Sequence, residues 1–116
     1  MNEQNQQLHI IFKVIQDIWN SQKNVVLCKH FIKDQQKMCL DLLFIRAKST
    51  IIVRYDQYNE KYEDATDLYI HAILEEFNDL EGAIGFILEF INLKSLYQLF
   101  ELNYGRKLRK ISSWDN

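Results

Sequence analysis

The sequence predicts an α+β fold in a single domain over residues 1–116: an N-terminal helix, a three-stranded antiparallel meander, and two or three C-terminal helices packed on one face of the sheet. Three observations predict this fold. Apolar residues recur at helical spacing near the N-terminus, β-prone runs follow up to residue 55, and helical patterning returns after residue 64. With 116 residues, 47% of them hydrophobic and 13% aromatic, the chain can bury a core without metals or cross-links.

The first helix is predicted over residues 8–19. Polar residues occupy the opposite side of its helical wheel, which makes the helix amphipathic. The first seven residues are polar, and we expect them to be frayed. The apolar side of the helix is formed by Leu8, Ile11, Phe12, Ile15, Ile18 and Trp19.

Three β-prone runs follow, at residues 25–32, 38–45 and 50–55, and short polar stretches separate them. Runs of this length with short connections are typical of an antiparallel meander. Neither connection contains Asn-Gly or Asp-Gly, the pairs that fix a tight hairpin turn. The strand register therefore stays open at this point.

A polar loop is predicted over residues 56–64, and a helix is predicted to begin at about Asp64. Asp64 and Asp67 would lie in its first turn, where carboxylates interact well with the unpaired N–H groups. Asn78 and Asp79 indicate a break and the N-cap of a new helix. The predicted apolar stripe of the first of these helices consists of Ile70, Ile73, Leu74 and Phe77.

The remaining residues predict a buried helix and a final helix with a tail. Residues 83–93 are apolar on nearly all sides, which is typical of a helix in the centre of a core. Ser95 and Gln98 match a capping box that would start the final helix. Gly105 suits the position just past its end. Residues 106–116 are then a basic tail, and we expect the fold to survive its removal.

Several classes of protein are disfavoured by composition. The N-terminus has no basic region ahead of an apolar stretch, and the apolar run at 83–93 is about half the ~20 residues of a membrane span. With only two cysteines, the sequence predicts a cytoplasmic protein without disulfide staples or membrane segments. Three glycines and no proline leave no phosphate-binding loop.

Charge is strongly segregated along the chain. Residues 56–81, here called the acidic segment, contain nine acidic residues and one lysine, a net charge of −8. The residues before it carry a net charge of +4 and those after it +2. Acidic residues beside tyrosines suit a basic protein surface, because tyrosine offers a large contact area at a low entropic cost.

The sequence therefore predicts a non-catalytic protein-binding domain that neutralises a basic partner, such as a nuclease or toxin, in the manner of an inhibitor, immunity protein or antitoxin. The simpler alternative is that these acids only solubilise a loop and a helix face. The predicted partner-binding residues are Asp56, Tyr58, Glu60, Tyr62, Glu63, Asp64 and Asp67.

Two alternative functions remain open. A basic cluster at Arg106, Lys107, Arg109 and Lys110 could contact nucleic acid, although a domain that is acidic overall disfavours direct binding. A small chaperone or assembly factor could instead use an apolar sheet face to form a homodimer or hold a client.

No residues form a recognised catalytic or cofactor motif, so we expect no enzyme activity and no cofactor. Cys28 and His30 would share one strand face, and Cys39 and Asp41 another. If those faces coincide, four zinc-compatible groups converge. Their spacing matches no familiar structural zinc motif, so the sequence predicts that no metal is bound.

Overall fold

The computed structural model describes residues 3–62 and 69–114. The elements follow in the order α1 (Glu3–Asn20), β1 (Val25–Lys33), β2 (Gln36–Ala47), β3 (Thr50–Asn59), a short 3₁₀ helix (Glu60–Tyr62), β4 (Tyr69–Phe77), α2 (Leu80–Ile87) and α3 (Leu93–Trp114). The predicted α+β class is therefore confirmed, with four strands instead of three. In these described residues, no helix is both long and apolar enough to cross a membrane.

The four strands form one antiparallel sheet in the order β1-β2-β3-β4. β1 and β2 are joined by a two-residue turn at Asp34 and Gln35, whose φ angles are 52° and 63°. Positive φ at both central residues is the geometry of a type I′ turn, which matches the twist of the flanking strands. This turn sets the register that the sequence left open, with Lys33 opposite Gln36.

The helices pack against one face of the sheet, as predicted. Every strand residue in the main buried cluster belongs to that face, and the rest of the cluster comes from α1, α2 and α3. Burial of these apolar side chains is the main favourable term in folding. The strand residues of the cluster are Val25, Leu27, Leu42, Phe44, Ile51, Val53 and Tyr55.

The predicted helix after residue 64 is wrong over its second half, because residues 69–77 form strand β4. β4 pairs with β3 from Ile51–Phe77 to Tyr58–Tyr69, with a bulge beside Tyr58. Ile73 and Phe77 pack against the core, whereas Leu74 is 66% exposed. The spacing of these apolar residues favours a helix on local grounds, and the pairing with β3 overrides this preference.

The loop predicted at residues 56–64 is wrong over residues 56–59, and residues 63 and 64 lie outside the described part of the chain. β3 continues through Asn59, and the 3₁₀ helix follows it directly. At the N-terminus, the residues expected to be frayed belong to α1 from Glu3 onward.

The N-cap predicted at Asp79 is confirmed. Its side chain accepts a hydrogen bond from the Gly82 N–H at 2.7 Å, at the start of α2. The predicted buried helix over residues 83–93 is wrong in extent, because α2 ends at Ile87. α3 is capped by Asn92 and not by Ser95, since Asn92 Oδ1 accepts from the Ser95 N–H at 2.8 Å.

Replacing Asp79 with alanine should lower the free energy of unfolding by about 1 kcal/mol, because the Gly82 N–H loses its acceptor. Asp79→Asn retains an acceptor oxygen and should cost less. Urea denaturation of both variants measures the difference. Equal stability of wild type and Asp79→Ala would show that water replaces the cap without loss.

The expected basic tail is instead helical. α3 continues to Trp114, with a kink at Tyr104, whose φ of −136° and ψ of 37° are not helical. Gly105 follows this kink and does not end the helix. Leu108 and Ile111 are 5% and 1% exposed and belong to the core. The burial of these two side chains argues against the prediction that residues 106–116 are dispensable for folding.

Candidate functional site

The predicted partner-binding residues lie at one end of β3 and beyond it. Asp56 and Tyr58 are on β3, and Glu60 and Tyr62 are in the 3₁₀ helix. The other three lie outside the described part of the chain: Glu63, Asp64 and Asp67.

Asp56 and Tyr58 lie on the sheet face opposite the core, here called the outer face. Paired residues share a face and successive residues alternate, so the register assigns each strand residue to one side. The outer face includes Val26, Cys28, His30 and Ile32 of β1, Lys37, Cys39, Asp41, Leu43, Ile45 and Ala47 of β2, Thr50, Ile52, Arg54, Asp56 and Tyr58 of β3, and Ala72, Leu74 and Glu76 of β4.

Polar side chains gather where β1, β2 and β3 meet the 3₁₀ helix. Cys28 is directly opposite Asp41, and Cys39 lies between His30 and Tyr58 in the register. This polar cluster consists of Cys28, His30, Cys39, Asp41, Tyr58 and Glu60.

Sulfur atoms form the centre of the polar cluster. Cys28 Sγ lies 3.6 Å from Cys39 Sγ and 3.5 Å from His30 Nε2. The Cys39 thiol donates to Asp41 Oδ1 at 3.5 Å. Cys39 is 2% exposed, and both cysteines are free. The faces that carry these two pairs of residues therefore coincide, which the sequence left undecided.

Two further side chains, Tyr58 and Glu60, contact Asp41 and His30 at the periphery of the polar cluster. The Tyr58 hydroxyl donates to Asp41 Oδ2 at 2.9 Å. Glu60 Oε1 pairs with His30 Nδ1, although the side chain of His30 is 69% exposed. Sequence reasoning placed Tyr58 and Glu60 in a partner-binding loop and missed their contacts with the cysteine strands. The alternation of Arg54, Asp56 and Tyr58 is the signal that β3 extends this far.

The environment of the cluster favours neutral thiols. Burial, together with hydrogen bonds to Asp41 and to the Cys39 thiol, raises the pKa of Cys28 to about 12. Burial also raises the pKa of Cys39. The hydrogen bond with Cys39, followed by burial and Asp41, raises the pKa of Tyr58. At neutral pH these groups can therefore act as hydrogen-bond donors.

Asp56 has a structural role in this arrangement. It is 5% exposed and directly opposite Asp41 across β2 and β3. Arg54 Nε donates to Asp56 Oδ2 at 2.6 Å, which offsets the repulsion of two neighbouring carboxylates. The partner-binding role of Asp56, Tyr58 and Glu60 stays a prediction, and each of these side chains has a partner within the chain.

Apolar side chains are exposed around the polar cluster. On the outer face, Val26 is 46%, Ile32 76% and Leu74 66% exposed, and Ile70 at the β4 bulge is 50% exposed. Val26 and Ile32 lie on β1 and Ile70 and Leu74 on β4, at opposite edges of the sheet. The exposed apolar pair on β4 is a candidate interaction surface. Sequence reasoning missed this surface because it assigned Ile70 and Leu74 to the core stripe of a helix.

Side chains of α3 form hydrogen bonds with the backbone of β1 at the edge that does not pair with β2. The Cys28 N–H donates to Asn103 Oδ1 at 3.2 Å, and Asn103 Nδ2 donates to the Cys28 carbonyl at 3.1 Å. The Val26 N–H donates to the Tyr104 hydroxyl at 3.0 Å. These contacts satisfy the edge of β1 and fix the backbone that carries Cys28.

The basic cluster near the C-terminus is partly used for packing. Lys107 forms an ion pair with Asp17 of α1, and its neighbour Leu108 is buried. Arg106, Arg109 and Lys110 are exposed, and their spacing of three and four residues places them as neighbours on the helix surface.

Comparison of the chain with protein-family models, with curated proteins and with solved structures finds no match.

Proposed function

We propose that this chain is a non-catalytic protein-binding domain of the inhibitor, immunity-protein or antitoxin type, which neutralises a basic partner such as a nuclease in the cytoplasm. The observation that carries the proposal is the position of the described parts of the acidic segment at one side of the outer face. These parts contribute the end of β3, the 3₁₀ helix, β4 and the start of α2.

β4 combines the two properties that such a surface needs. Ile70 and Leu74 are exposed apolar residues, and the exposed Glu76 lies on the same face as Leu74. β4 is also an edge of the sheet among the described strands. Apolar contacts would provide most of the affinity, while the carboxylates would speed association with a basic surface and select against acidic ones.

The proposal is tested with the partner captured from the native cytosol and a matched pair of substitutions. Leu74→Lys places a cation at the centre of the proposed surface. Leu102→Lys does the same on α3, and the two leucines are 66% and 65% exposed. We expect Leu74→Lys to weaken binding about tenfold or more, equivalent to about 1.4 kcal/mol, and Leu102→Lys to bind like wild type.

Glu76→Lys should weaken binding further and mainly through slower association, since rim charges steer encounter. Binding by wild type should also decrease as salt is raised, because exposed charges are screened. If folded Leu74→Lys binds as tightly as wild type, the outer face is not the interface.

A small dimeric chaperone or assembly factor is the second candidate. The observation that favours it is the same set of exposed apolar residues, which a second copy of the chain could cover. Light scattering over a concentration series separates the two candidates, because a homodimer formed through this face should dissociate in Leu74→Lys. The alternative of a nucleic-acid-associated regulator has less support, since Lys107 is paired and Leu108 is buried.

A further inference from the structure

We propose that Cys28, His30, Cys39 and Asp41 form a structural zinc site on the outer face of the sheet. Two thiolates, an imidazole and a carboxylate are all established zinc ligands. The structure brings the ligand atoms of Cys28, His30 and Cys39 within 4.8 Å of one another. Asp41 Oδ1 lies 3.5 Å from Cys39 Sγ, outside that group of three, and is the candidate for the fourth ligand.

Three of the distances between these atoms match edges of a zinc tetrahedron. Zinc bonds of about 2.3 Å to sulfur and about 2.0–2.2 Å to nitrogen or oxygen place two sulfurs about 3.8 Å apart, and sulfur about 3.6 Å from nitrogen or oxygen. The observed separations are 3.6 Å for Cys28 Sγ to Cys39 Sγ, 3.5 Å for Cys28 Sγ to His30 Nε2, and 3.5 Å for Cys39 Sγ to Asp41 Oδ1.

The surrounding contacts orient the ligands as metal sites require. A zinc-binding histidine usually donates its other ring N–H to a carboxylate, which directs the remaining lone pair at the metal. Glu60 Oε1 occupies that position on His30 Nδ1 and leaves Nε2 toward the sulfurs. Tyr58 holds Asp41 Oδ2 and thereby leaves Oδ1 beside Cys39.

The site is rigid on one side and accessible on the other. Both backbone polar groups of Cys28 are bonded to Asn103 of α3, and Cys39 is buried in the middle of the cluster. The His30 side chain is 69% exposed, so an ion can reach the sulfurs past it. With Asp41 as the fourth ligand, protein groups would fill all four positions, so the site would be structural and would connect β1 and β2.

The expectation of no metal depended on sequence spacing alone. Familiar zinc motifs place their ligands close together on a loop or helix, whereas here the pairing of β1 with β2 supplies the proximity. The register, with Cys28 opposite Asp41 and His30 opposite Cys39, removes the reason for that expectation.

The experiment uses the full, tag-free chain, purified under reductant and stripped with a chelator, then titrated with zinc in competition with a chromophoric chelator. We expect one zinc per chain. Titration with cobalt should give the visible bands of tetrahedral thiolate coordination, which surface carboxylates do not produce. If wild type takes up no stoichiometric zinc and cobalt gives no such bands, the proposal is overturned.

Variants assign the ligands. Cys28→Ser and His30→Asn should lower zinc affinity by more than the about 10–100-fold expected for Glu60→Gln, which alters only the support of His30. His71→Asn, on exposed β4, is the matched control and should bind like wild type. Circular dichroism checks that each variant is folded. If Cys28→Ser unfolds, the test depends on His30→Asn, because His30 is highly exposed and its substitution should not disturb the core. Unchanged affinity in folded His30→Asn would place the metal elsewhere.

Discussion

Removal of residues 106–116 is expected to unfold the protein. The deletion takes away the second half of α3, including Leu108 and Ile111, which pack in the core, and the ion pair between Lys107 and Asp17. Truncating one large buried apolar side chain costs about 2–5 kcal/mol, and a domain of this size has only about 5–15 kcal/mol of stability. Far-ultraviolet circular dichroism and urea denaturation measure the result.

Point variants separate the loss of packing from the loss of the segment. Ile111→Ala should lower the free energy of unfolding by about 2–5 kcal/mol, because it leaves a cavity at a side chain that is 1% exposed. The control is Arg106→Ala, an exposed position on the same helix, which should change stability by less than about 0.5 kcal/mol. A truncated chain that unfolds cooperatively at the wild-type urea midpoint would contradict the assigned role of α3.

The second large effect is expected at Asn103. Its side chain bonds both the N–H and the carbonyl of Cys28, and it also donates to the Leu99 carbonyl at 2.8 Å. Asn103→Ala leaves two partly buried backbone groups of β1 without these partners. An unsatisfied buried group costs about 1–3 kcal/mol, so we expect a loss of about 2 kcal/mol in total.

Two comparisons make the Asn103 test specific. Asn103→Asp retains an acceptor for the Cys28 N–H but loses the donor to its carbonyl, so its stability should lie between those of wild type and Asn103→Ala. Leu102→Ala, at the exposed neighbouring position, should be close to neutral. Hydrogen exchange at the Cys28 amide reports the edge of β1 directly. Unchanged exchange and stability in Asn103→Ala would show that solvent satisfies this edge equally well.

The elements that can be predicted from the sequence are those that depend on residues close together in the chain. Helix α1 follows from apolar residues three and four apart, and the Asp79 cap follows from a short acceptor ahead of three unpaired N–H groups. The first three strands follow from β-prone runs, although β3 continues four residues past the predicted end. The segregation of charge is also a property of the sequence alone.

Elements that depend on residues distant in the sequence could not be predicted and became clear only from the tertiary structure. β4 forms because β3 offers it an edge. Leu74 thereby lies on the outer face, and Ile70 is exposed at the bulge instead of packing in the core. The second half of α3 is helical where Leu108 and Ile111 find the core, not where Gly105 predicted an end.

The polar cluster depends both on local sequence and on strand register. The sequence indicated that Cys28 and His30 share a face and that Cys39 and Asp41 share one, because side chains alternate along a strand. Whether those faces coincide depends on the hairpin register, and a shift of one residue would reverse it. The turn at Asp34 and Gln35 sets that register through two positive φ angles, a conformation that neither residue type specifies on its own.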